Sequence, residues 1–197
     1  PHSMSKLQLI ETVSEMQSQA DAWRGSNLQL GLVPTMGFLH SGHLSLVDHC
    51  RKTAERTVVS IFVNPLQFGP QEDLAIYPQD LERDLGLLSD RGVDAVFLPQ
   101  PDEFYPPDFS SFVEVTKLTE QLCGPFRPGH FRGVTTVVTK LFTAVKPHLA
   151  VFGQKDYQQS AVIRRLVSDL NLDLRIEVAP TVREADGLAM SSRNINL

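Results

Sequence analysis

Runs of apolar residues rich in β-branched side chains recur along the chain and alternate with segments of helical period. Each run is short and bounded by polar or turn-forming residues, as expected for buried strands. Strands that alternate with helices imply crossover units and a parallel sheet covered on both faces, so the pattern predicts an α/β fold. The predicted strands are Leu7–Ile10, Leu28–Val33, Thr57–Val63, Val93–Leu98, Phe112–Val115, Leu149–Phe152 and Leu174–Ala179.

The segments between most of these strands carry one apolar residue in every three or four positions. The first predicted helix opens on Thr12-Val13-Ser14-Glu15, which has the form of a capping box, and Gly25 is predicted to end it. Ligands of parallel sheets bind beyond the carboxyl ends of the strands. The loops that therefore matter most follow Val33, Val63, Phe152 and Ala179. The apolar stripes of the later helices are Leu44, Val47, Cys50 and Ala54; Leu81, Leu85 and Leu88; Val134, Val137, Val138, Leu141, Phe142 and Val145; and Ile163, Leu166, Val167 and Leu170.

Composition limits the classes of protein that these elements could form. The chain has 197 residues, 42% of them hydrophobic, and a formal net charge of -5, which argues against a mainly electrostatic nucleic-acid binder. It contains no apolar stretch near the ~20 residues that span a bilayer and no signal-peptide pattern. Cys50 and Cys123 suit a reducing cytosol, so we expect a cytoplasmic domain without a membrane or nucleic-acid partner. Residues 1–3 resemble an expression-vector remnant.

The loop after the second predicted strand carries two histidines. Gly37 permits a backbone turn that a side chain would block, and His40 and His43 are three residues apart, which can place them on one helix face. A helix N-terminus suits phosphate, and imidazoles there can stabilise charge that develops during attack at phosphorus. The alternatives are a surface histidine pair or two metal ligands. No Walker A, Gly-x-Gly-x-x-Gly, Gly-x-Ser-x-Gly or His-Glu-x-x-His motif occurs.

Two carboxamides follow the third predicted strand, in Asn64-Pro65-Leu66-Gln67. Carboxamides at the end of a buried strand indicate a pocket floor with donors and acceptors but no net charge. Such a floor can orient a nucleophilic carboxylate, whereas an arginine would hold its lone pairs. The alternative is that Asn64-Pro65 only begins a turn.

A lysine stands where a strand leads into a helix, in Gly153-Gln154-Lys155-Asp156. Cations are disfavoured at a helix start, so Lys155 is predicted to face phosphate. Gln159 lies four residues later and can share its face. The alternative is a solvated helix start.

Hydroxyls and one guanidinium lie together near the end of the sequence, in Met190-Ser191-Ser192-Arg193. Such a group can grip a triphosphate and neutralise a departing pyrophosphate. As an isolated string it is equally typical of an ordinary loop.

The histidine motif carries a resemblance to known proteins. His40-Ser41-Gly42-His43 resembles the signature of the nucleotidylyltransferase superfamily, and the longer string Pro34–His43 resembles the pantoate–β-alanine ligase family. The resemblance implies a Rossmann-like doubly wound parallel sheet over residues 4–180. Residues 181–197 would then hold the Met-Ser-Ser-Arg loop and lead to a smaller C-terminal lid domain absent from this chain. The other matching stretches, in the family's order, are Ser60–Gly69, Arg127–Val134, Phe152–Gln159 and Met190–Asn194.

The resemblance implies that a pantoate carboxylate attacks the α-phosphate of ATP and that β-alanine then attacks the adenylate. His43 would have the main hydrogen-bonding or proton-donating role with support from His40, and Lys155 and Arg193 would stabilise phosphate charge. The implied pantoate or β-alanine contacts are Gln67, Gln159, Asn64 and Met36, with Pro34 and Phe62 as apolar wall. The implied ATP contacts are Met36, Gly37, Phe38, Leu39, His40, Ser41, Gly42, His43, Gly153, Gln154, Lys155, Asp156, Val182, Met190, Ser191, Ser192 and Arg193.

Cofactors and partners follow from the same resemblance. It implies Mg²⁺ bound with the nucleotide, no organic cofactor, and a homodimer. Asp84 occupies an acidic position linked to magnesium, although its helical pattern favours a mostly solvated face. Cys123 stands where the family often has Glu, so that carboxylate's role does not carry over. The Arg127–Arg132 loop is cationic, which suits either phosphate or a subunit interface.

Other functions remain open at the level of sequence. The chain could transfer a nucleotide to a different acceptor, or bind a nucleotide without catalysis. A tRNA-dependent synthetase is disfavoured by the acidic balance. Without a lid to exclude water, we expect weak binding of ATP or pantoate and poor turnover.

Overall fold

Six parallel strands form one sheet in the computed structural model, which describes residues 6–69, 74–75, 77–121 and 129–180. The strand order across the sheet is β1-β4-β3-β2-β5-β6. All the observed pairings are parallel, which confirms the predicted α/β class. The strands are β1 Gln8–Ile10, β2 Leu30–Thr35, β3 Arg56–Ile61, β4 Ala95–Phe97, β5 Leu149–Gly153 and β6 Arg175–Ala179.

Five of the helices lie where the periodicity predicts them, whereas two short ones, Pro101–Phe104 and Thr116–Gln121, carry no predicted stripe. The Oγ1 atom of Thr12 accepts a hydrogen bond from the Glu15 backbone N–H at 3.2 Å, so the predicted N-cap of the first helix is confirmed. That helix ends at Gly25, also as predicted. The helices are α1 Val13–Gly25, α2 Ser41–Thr53, α3 Leu81–Asp90, α4 Pro101–Phe104, α5 Thr116–Gln121, α6 His130–Val145 and α7 Tyr157–Asp169.

Helices cover both faces of the sheet. Successive side chains of a strand point to opposite faces, so a strand buried on both sides is apolar throughout. Leu32 of β2 packs in the core with α1, α6 and α7, whereas Val33 packs in the core with α2 and α3. The same alternation holds for Val58 and Val59 of β3 and for Ala150 and Val151 of β5.

The predicted strand Phe112–Val115 is wrong, because this segment is irregular. The backbone N–H of Val113 donates to Thr136 Oγ1 at 3.1 Å, and Thr135 Oγ1 donates to the Val113 carbonyl. Side chains of α6 thus satisfy the backbone groups that a neighbouring strand would otherwise bond. The apolar, β-branched pattern of Phe112–Val115 does not show that side chains of α6, rather than a neighbouring strand, bond its backbone.

The direction of winding reverses at β2. The chain proceeds from β2 to β3 and β4 toward one edge of the sheet, and from β5 to β6 toward the other. A crevice forms outside the carboxyl ends of the strands at such a switch point. The loops that follow β2, β3 and β5 therefore meet in one place, and they carry the predicted site residues.

Candidate active site

A cavity of about 320 Å³ lies at this switch point. Its lining combines polar side chains with aliphatic and aromatic ones. Small-molecule sites in α/β folds have this character. The polar and sulfur-bearing lining residues are Thr35, Met36, His40, His43, Asn64, Gln67, Tyr77, His130, Lys155 and Gln159. The predicted apolar wall residues Pro34 and Phe62 line it as well.

The two histidines cap helix α2 reciprocally. His40 is the N-cap residue, and its Nδ1 accepts from the Gly42 N–H at 3.0 Å and more weakly from the His43 N–H at 3.4 Å. The His43 Nδ1 accepts from the His40 N–H at 3.1 Å. The two rings stack with centroids 3.9 Å apart. The sequence predicted a shared face for the pair, and the structure brings both rings to one cavity.

Both imidazoles are neutral near neutral pH. Burial, reinforced by the positive charge of Lys155, lowers the pKa of His40 to about 4. Burial, then the charges of His40 and Lys155, lowers the pKa of His43 to about 3. A neutral imidazole has one N–H, and each Nδ1 already accepts a hydrogen bond, so the proton is on Nε2. Each ring therefore offers one Nε2–H donor to a ligand.

A buried carboxylate holds the loop that precedes the histidines. The Oδ2 of Asp84 accepts from the Phe38 N–H at 2.8 Å, and its Oδ1 accepts from the Leu39 N–H at 2.9 Å. Gly37 and Phe38 both have positive φ, 85° and 50°, so the loop needs such support. Asp84 is 1% exposed, so the expected solvated face is wrong at this position. The helical period of the sequence does not show that the Phe38–Leu39 loop covers Asp84 in the fold.

The carboxamides form a bonded floor beneath the cavity. Asn64 caps the short 3₁₀ helix Pro65–Gln67 and is 1% exposed. Its Nδ2 donates to Gln67 Oε1 at 3.1 Å and to the Gly133 carbonyl at 3.0 Å. Gln67 Nε2 lies 3.7 Å from the Met36 sulfur. Asn64 therefore starts a turn, as one interpretation of the sequence predicts, and it also orients Gln67. Contact of these carboxamides with a substrate carboxylate stays a prediction.

Lys155 and Gln159 both line the cavity, as their spacing predicts. Lys155 lies in the 3₁₀ helix Gln154–Asp156 that leads from β5 into α7. Its charge lowers the pKa of both histidines, which places a cation within electrostatic range of the imidazoles. The site therefore combines two neutral donors and one cation without any carboxylate in the described cavity lining.

Other predicted contacts lie away from the cavity lining. Leu39 is 1% exposed and packs in the core, so its side chain has a structural role. Gln154 lines a separate groove of about 650 Å³ along α7, which contains no histidine among its described residues. The side chain of Asp156 is not described. Also outside the described residues are Val182, Met190, Ser191, Ser192, Arg193, Cys123 and Arg127. Gly37, Phe38, Ser41 and Gly42 adjoin the histidines in sequence without lining the cavity.

Sequence reasoning missed much of the apolar lining. Four residues of the α6 stripe line the cavity as well as the core. Tyr77 and His130 line it too, and His130 belongs to the Arg127–Arg132 loop that the sequence singles out. The Nδ1 of His130 is 3.0 Å from the Gln67 carbonyl, so it supports the floor. The stripe is visible in the sequence, but its period does not show that one end faces a cavity. The four residues are Val134, Val137, Val138 and Leu141.

The described residues do not form a metal site by themselves. They contain no group of three or more His, Cys, Asp or Glu side chains placed to hold an ion. Both oxygens of Asp84 accept backbone hydrogen bonds. Within the same described ranges, no helix is both long and apolar enough to cross a membrane.

The fold and the capped histidine pair define a doubly wound α/β domain with a small-molecule cavity at its switch point. The family model for pantoate-beta-alanine ligase matches residues 8–197, and the chain belongs to that family. Pantothenate synthetase from Syntrophobacter fumaroxidans is 61% identical over 95% of this chain and 66% of its own length. The enzyme of that name from Thermotoga neapolitana is 59% identical over 97% of this chain and 68% of its own length. The chain thus spans about two thirds of the length of these curated relatives.

Solved structures agree with this assignment. The crystal structure of pantothenate synthetase from Thermus thermophilus matches 96% of this chain and 67% of its own with a TM-score of 0.89 at 49% identity. Pantoate-beta-alanine ligase from Francisella tularensis, complexed with beta-gamma ATP and beta-alanine, matches 97% of this chain and 73% of its own with a TM-score of 0.92 at 38% identity.

Proposed function

We propose that this chain binds ATP and pantoate in the cavity and joins them as pantoyl adenylate, which β-alanine then converts to pantothenate. One observation carries the proposal. The two histidines and Lys155 share a cavity with the carboxamides Gln67 and Gln159. Phosphate-directed donors and a charge-neutral floor for a carboxylate are the two parts that this ligation needs. Family membership and the ligands of the Francisella tularensis relative support the same assignment.

In the first step, a carboxylate oxygen of pantoate attacks the α-phosphorus of ATP. The bond between the α-phosphorus and the bridging oxygen breaks, and pyrophosphate leaves with that electron pair. His40 and His43 donate from Nε2–H to phosphate oxygens as charge develops, and they keep their protons because both rings are neutral. This makes hydrogen bonding, rather than proton donation, the role of the pair. Lys155 adds positive charge beside the phosphates.

In the second step, the neutral amine of β-alanine attacks the acyl carbon of pantoyl adenylate. The bond from that carbon to the phosphate oxygen breaks, AMP leaves with that electron pair, and the amine gives up one proton to water to form the amide. Val134, Val137 and Phe62 line the cavity and provide an apolar wall against pantoate's methyl groups. Water exclusion on that wall protects the anhydride from hydrolysis.

Further parts of the proposal rest on family membership. Mg²⁺ enters with the phosphates of ATP rather than in a site built by the described residues. Arg193, with Met190, Ser191 and Ser192, is assigned to the triphosphate, and Val182 to the nucleotide base. The protein acts in the cytoplasm as a homodimer, and light scattering would report its mass. A monomer at assay concentration would contradict the dimer without affecting the proposed chemistry.

The experiment that tests the function is exchange of labelled pyrophosphate into ATP. We expect exchange that depends on pantoate and needs no β-alanine. Exchange that depends on another acid would assign a different acceptor. ATP binding without exchange under any acid tested would instead support a non-catalytic nucleotide-binding module.

A further inference from the structure

A chain of hydrogen bonds runs from outside the cavity to the floor that faces the substrate. The hydroxyl of Tyr105 donates to Asn64 Oδ1 at 2.8 Å. Asn64 Nδ2 then donates to Gln67 Oε1 at 3.1 Å. Gln67 lines the cavity, whereas Tyr105 is not among its lining residues. One end of this chain therefore acts on the site without contacting a ligand.

The backbone fixes which way the Asn64 amide points. The Gly133 carbonyl can only accept a hydrogen bond, so the Asn64 atom 3.0 Å from it is the nitrogen. The Leu66 N–H can only donate, so the Asn64 atom 3.4 Å from it is the oxygen. Both amide hydrogens of Asn64 are thus donated within the protein, to Gly133 and to Gln67. Asn64, which also lines the cavity, therefore orients Gln67 through one of these hydrogen bonds.

The orientation of Asn64 determines that of Gln67. Because Asn64 donates to Gln67 Oε1, the Gln67 nitrogen is the end left for the cavity. It lies 3.7 Å from the Met36 sulfur, a weak acceptor that a substrate oxygen can replace. Gln67 thereby offers N–H donors, which match a carboxylate or a hydroxyl oxygen. If its amide were reversed, its oxygen would repel a carboxylate.

Tyr105 is built into the wall behind this floor. Its ring packs at 6.0 Å from Phe104 and 4.9 Å from Phe109, centroid to centroid. The Lys140 ammonium lies 5.6 Å from the ring centroid. Burial raises the pKa of the Tyr105 hydroxyl well above its usual range, so the group stays a donor across the working pH range.

We propose that Tyr105 is a positioning residue for the acid substrate, because its hydroxyl bonds Asn64 Oδ1 and so reinforces the orientation that the Gly133 and Leu66 backbone groups select. In that orientation Gln67 presents N–H groups to the substrate carboxylate. The inference rests on the proposed function of the cavity. It assigns to Tyr105 an effect on pantoate and none on ATP, since ATP is proposed to bind at the histidine end. If the role of Tyr105 were purely structural, loss of its hydroxyl would weaken the binding of both substrates, or would lower only the stability of the protein.

The test is Tyr105→Phe in the full chain, which keeps the ring and removes only the hydroxyl. We expect the KM for pantoate in pyrophosphate exchange to rise roughly 3- to 10-fold, the range for one lost neutral hydrogen bond. The KM for ATP and the melting temperature should stay close to wild type. The matched control is Tyr157→Phe, because that side chain is 74% exposed and lies outside the cavity lining.

A second variant tests the amide orientation directly. Asn64→Asp leaves an acceptor for Tyr105 but removes the N–H groups given to Gln67 and to the Gly133 carbonyl. Gln67 would then reverse its amide to donate to the introduced carboxylate and turn its oxygen toward the substrate. We expect pantoate binding to weaken more than in Tyr105→Phe while ATP binding persists. This comparison also applies if Tyr105→Phe alters folding.

The outcomes separate this inference from the proposed function. Pantoate-dependent exchange in the wild type, together with an unchanged pantoate KM in Tyr105→Phe, overturns the role of Tyr105 and leaves the function intact. An equal rise of the KM for ATP and of the KM for pantoate in Tyr105→Phe also overturns the role of Tyr105. Absence of pantoate-dependent exchange in the wild type overturns both.

Discussion

Helix α6 contacts the floor of the cavity at Gly133. The variant Gly133→Ala tests how sensitive catalysis is to the position of the 3₁₀ helix Pro65–Gln67 that carries Gln67. A Cβ built at Gly133 would lie 2.6 Å from the Gln67 backbone nitrogen and closer still to the Leu66 carbonyl group. Ordinary contact begins at 3.4 Å. The 3₁₀ helix Pro65–Gln67 must therefore move by roughly 0.8 Å or more, because the atoms in the way are backbone.

The displacement predicts a larger effect on catalysis than on folding. A shift of about 1 Å at a substrate-positioning group can cost ~10²-fold in rate. Overpacking costs about 1–3 kcal/mol of stability, and the replacement of a helical glycine by alanine returns about 0.5–1 kcal/mol. We therefore expect kcat/KM for pantoate to fall by on the order of 10²-fold, with a melting temperature lowered by a few degrees.

The assay is pantoate-dependent pyrophosphate exchange together with thermal unfolding of the same samples. The matched control is Gly86→Ala in α3, where a Cβ would meet nothing within 4 Å. Gly86→Ala should retain wild-type kinetics and gain about 0.5–1 kcal/mol of stability. If Gly133→Ala folds and keeps pantoate kinetics within about twofold of wild type, the contact with α6 does not position Gln67, and this reasoning is refuted.

Four further predictions concern the histidine loop. His43→Ala should lower turnover by ~10²–10³-fold with little loss of stability, and near-normal turnover would refute its role. Nitrogen NMR should find His40 and His43 as neutral Nε2–H tautomers from about pH 8 to about pH 5, and a titration near the ordinary value of 6.5 would contradict the cavity's electrostatics. Because both pKa values lie below that of an unfolded histidine, the unfolded state binds more protons in acid, so the pair's contribution to stability is complete above about pH 6.5 and falls as the pH drops through about 4 and 3. Asp84→Asn should raise the KM for ATP about 10-fold or more, since it removes a charged acceptor from the Phe38–Leu39 loop, while the exposed control Glu82→Gln should not. A much higher Mg²⁺ requirement in Asp84→Asn, with the KM for ATP at saturating Mg²⁺ unchanged, would instead make Asp84 a metal ligand.

The elements that the sequence predicts best are those whose signal is local. The capping box at Thr12, the glycine at position 25 and the switch from strand to helix around His40 depend on residues within a few positions of each other. The continuous apolar runs of β2 and β3 likewise follow from burial on both faces. The site loops were therefore predictable, because the carboxyl ends of parallel strands share one edge.

The features that sequence reasoning missed depend on partners distant in the chain. The backbone of Val113 is hydrogen-bonded by the side chains of Thr135 and Thr136 in α6, so this apolar run is an irregular segment instead of the predicted strand. Asp84 lies on a helix of ordinary amphipathic pattern, and only folding brings the Phe38 and Leu39 N–H groups onto it. No period or motif encodes such contacts. They follow from the packing of loops after the sheet has formed.

The proposed function requires that the cavity forms an acyl adenylate from pantoate before any amine reacts. A rapid-quench experiment measures this step most directly: enzyme in excess is mixed with labelled ATP and pantoate without β-alanine, and the products are quantified. We expect pantoyl adenylate and pyrophosphate to appear in equal amounts and the adenylate to disappear into pantothenate and AMP when β-alanine is added. If no adenylate forms and ATP is cleaved only when β-alanine is present, the cavity does not form an acyl adenylate from pantoate.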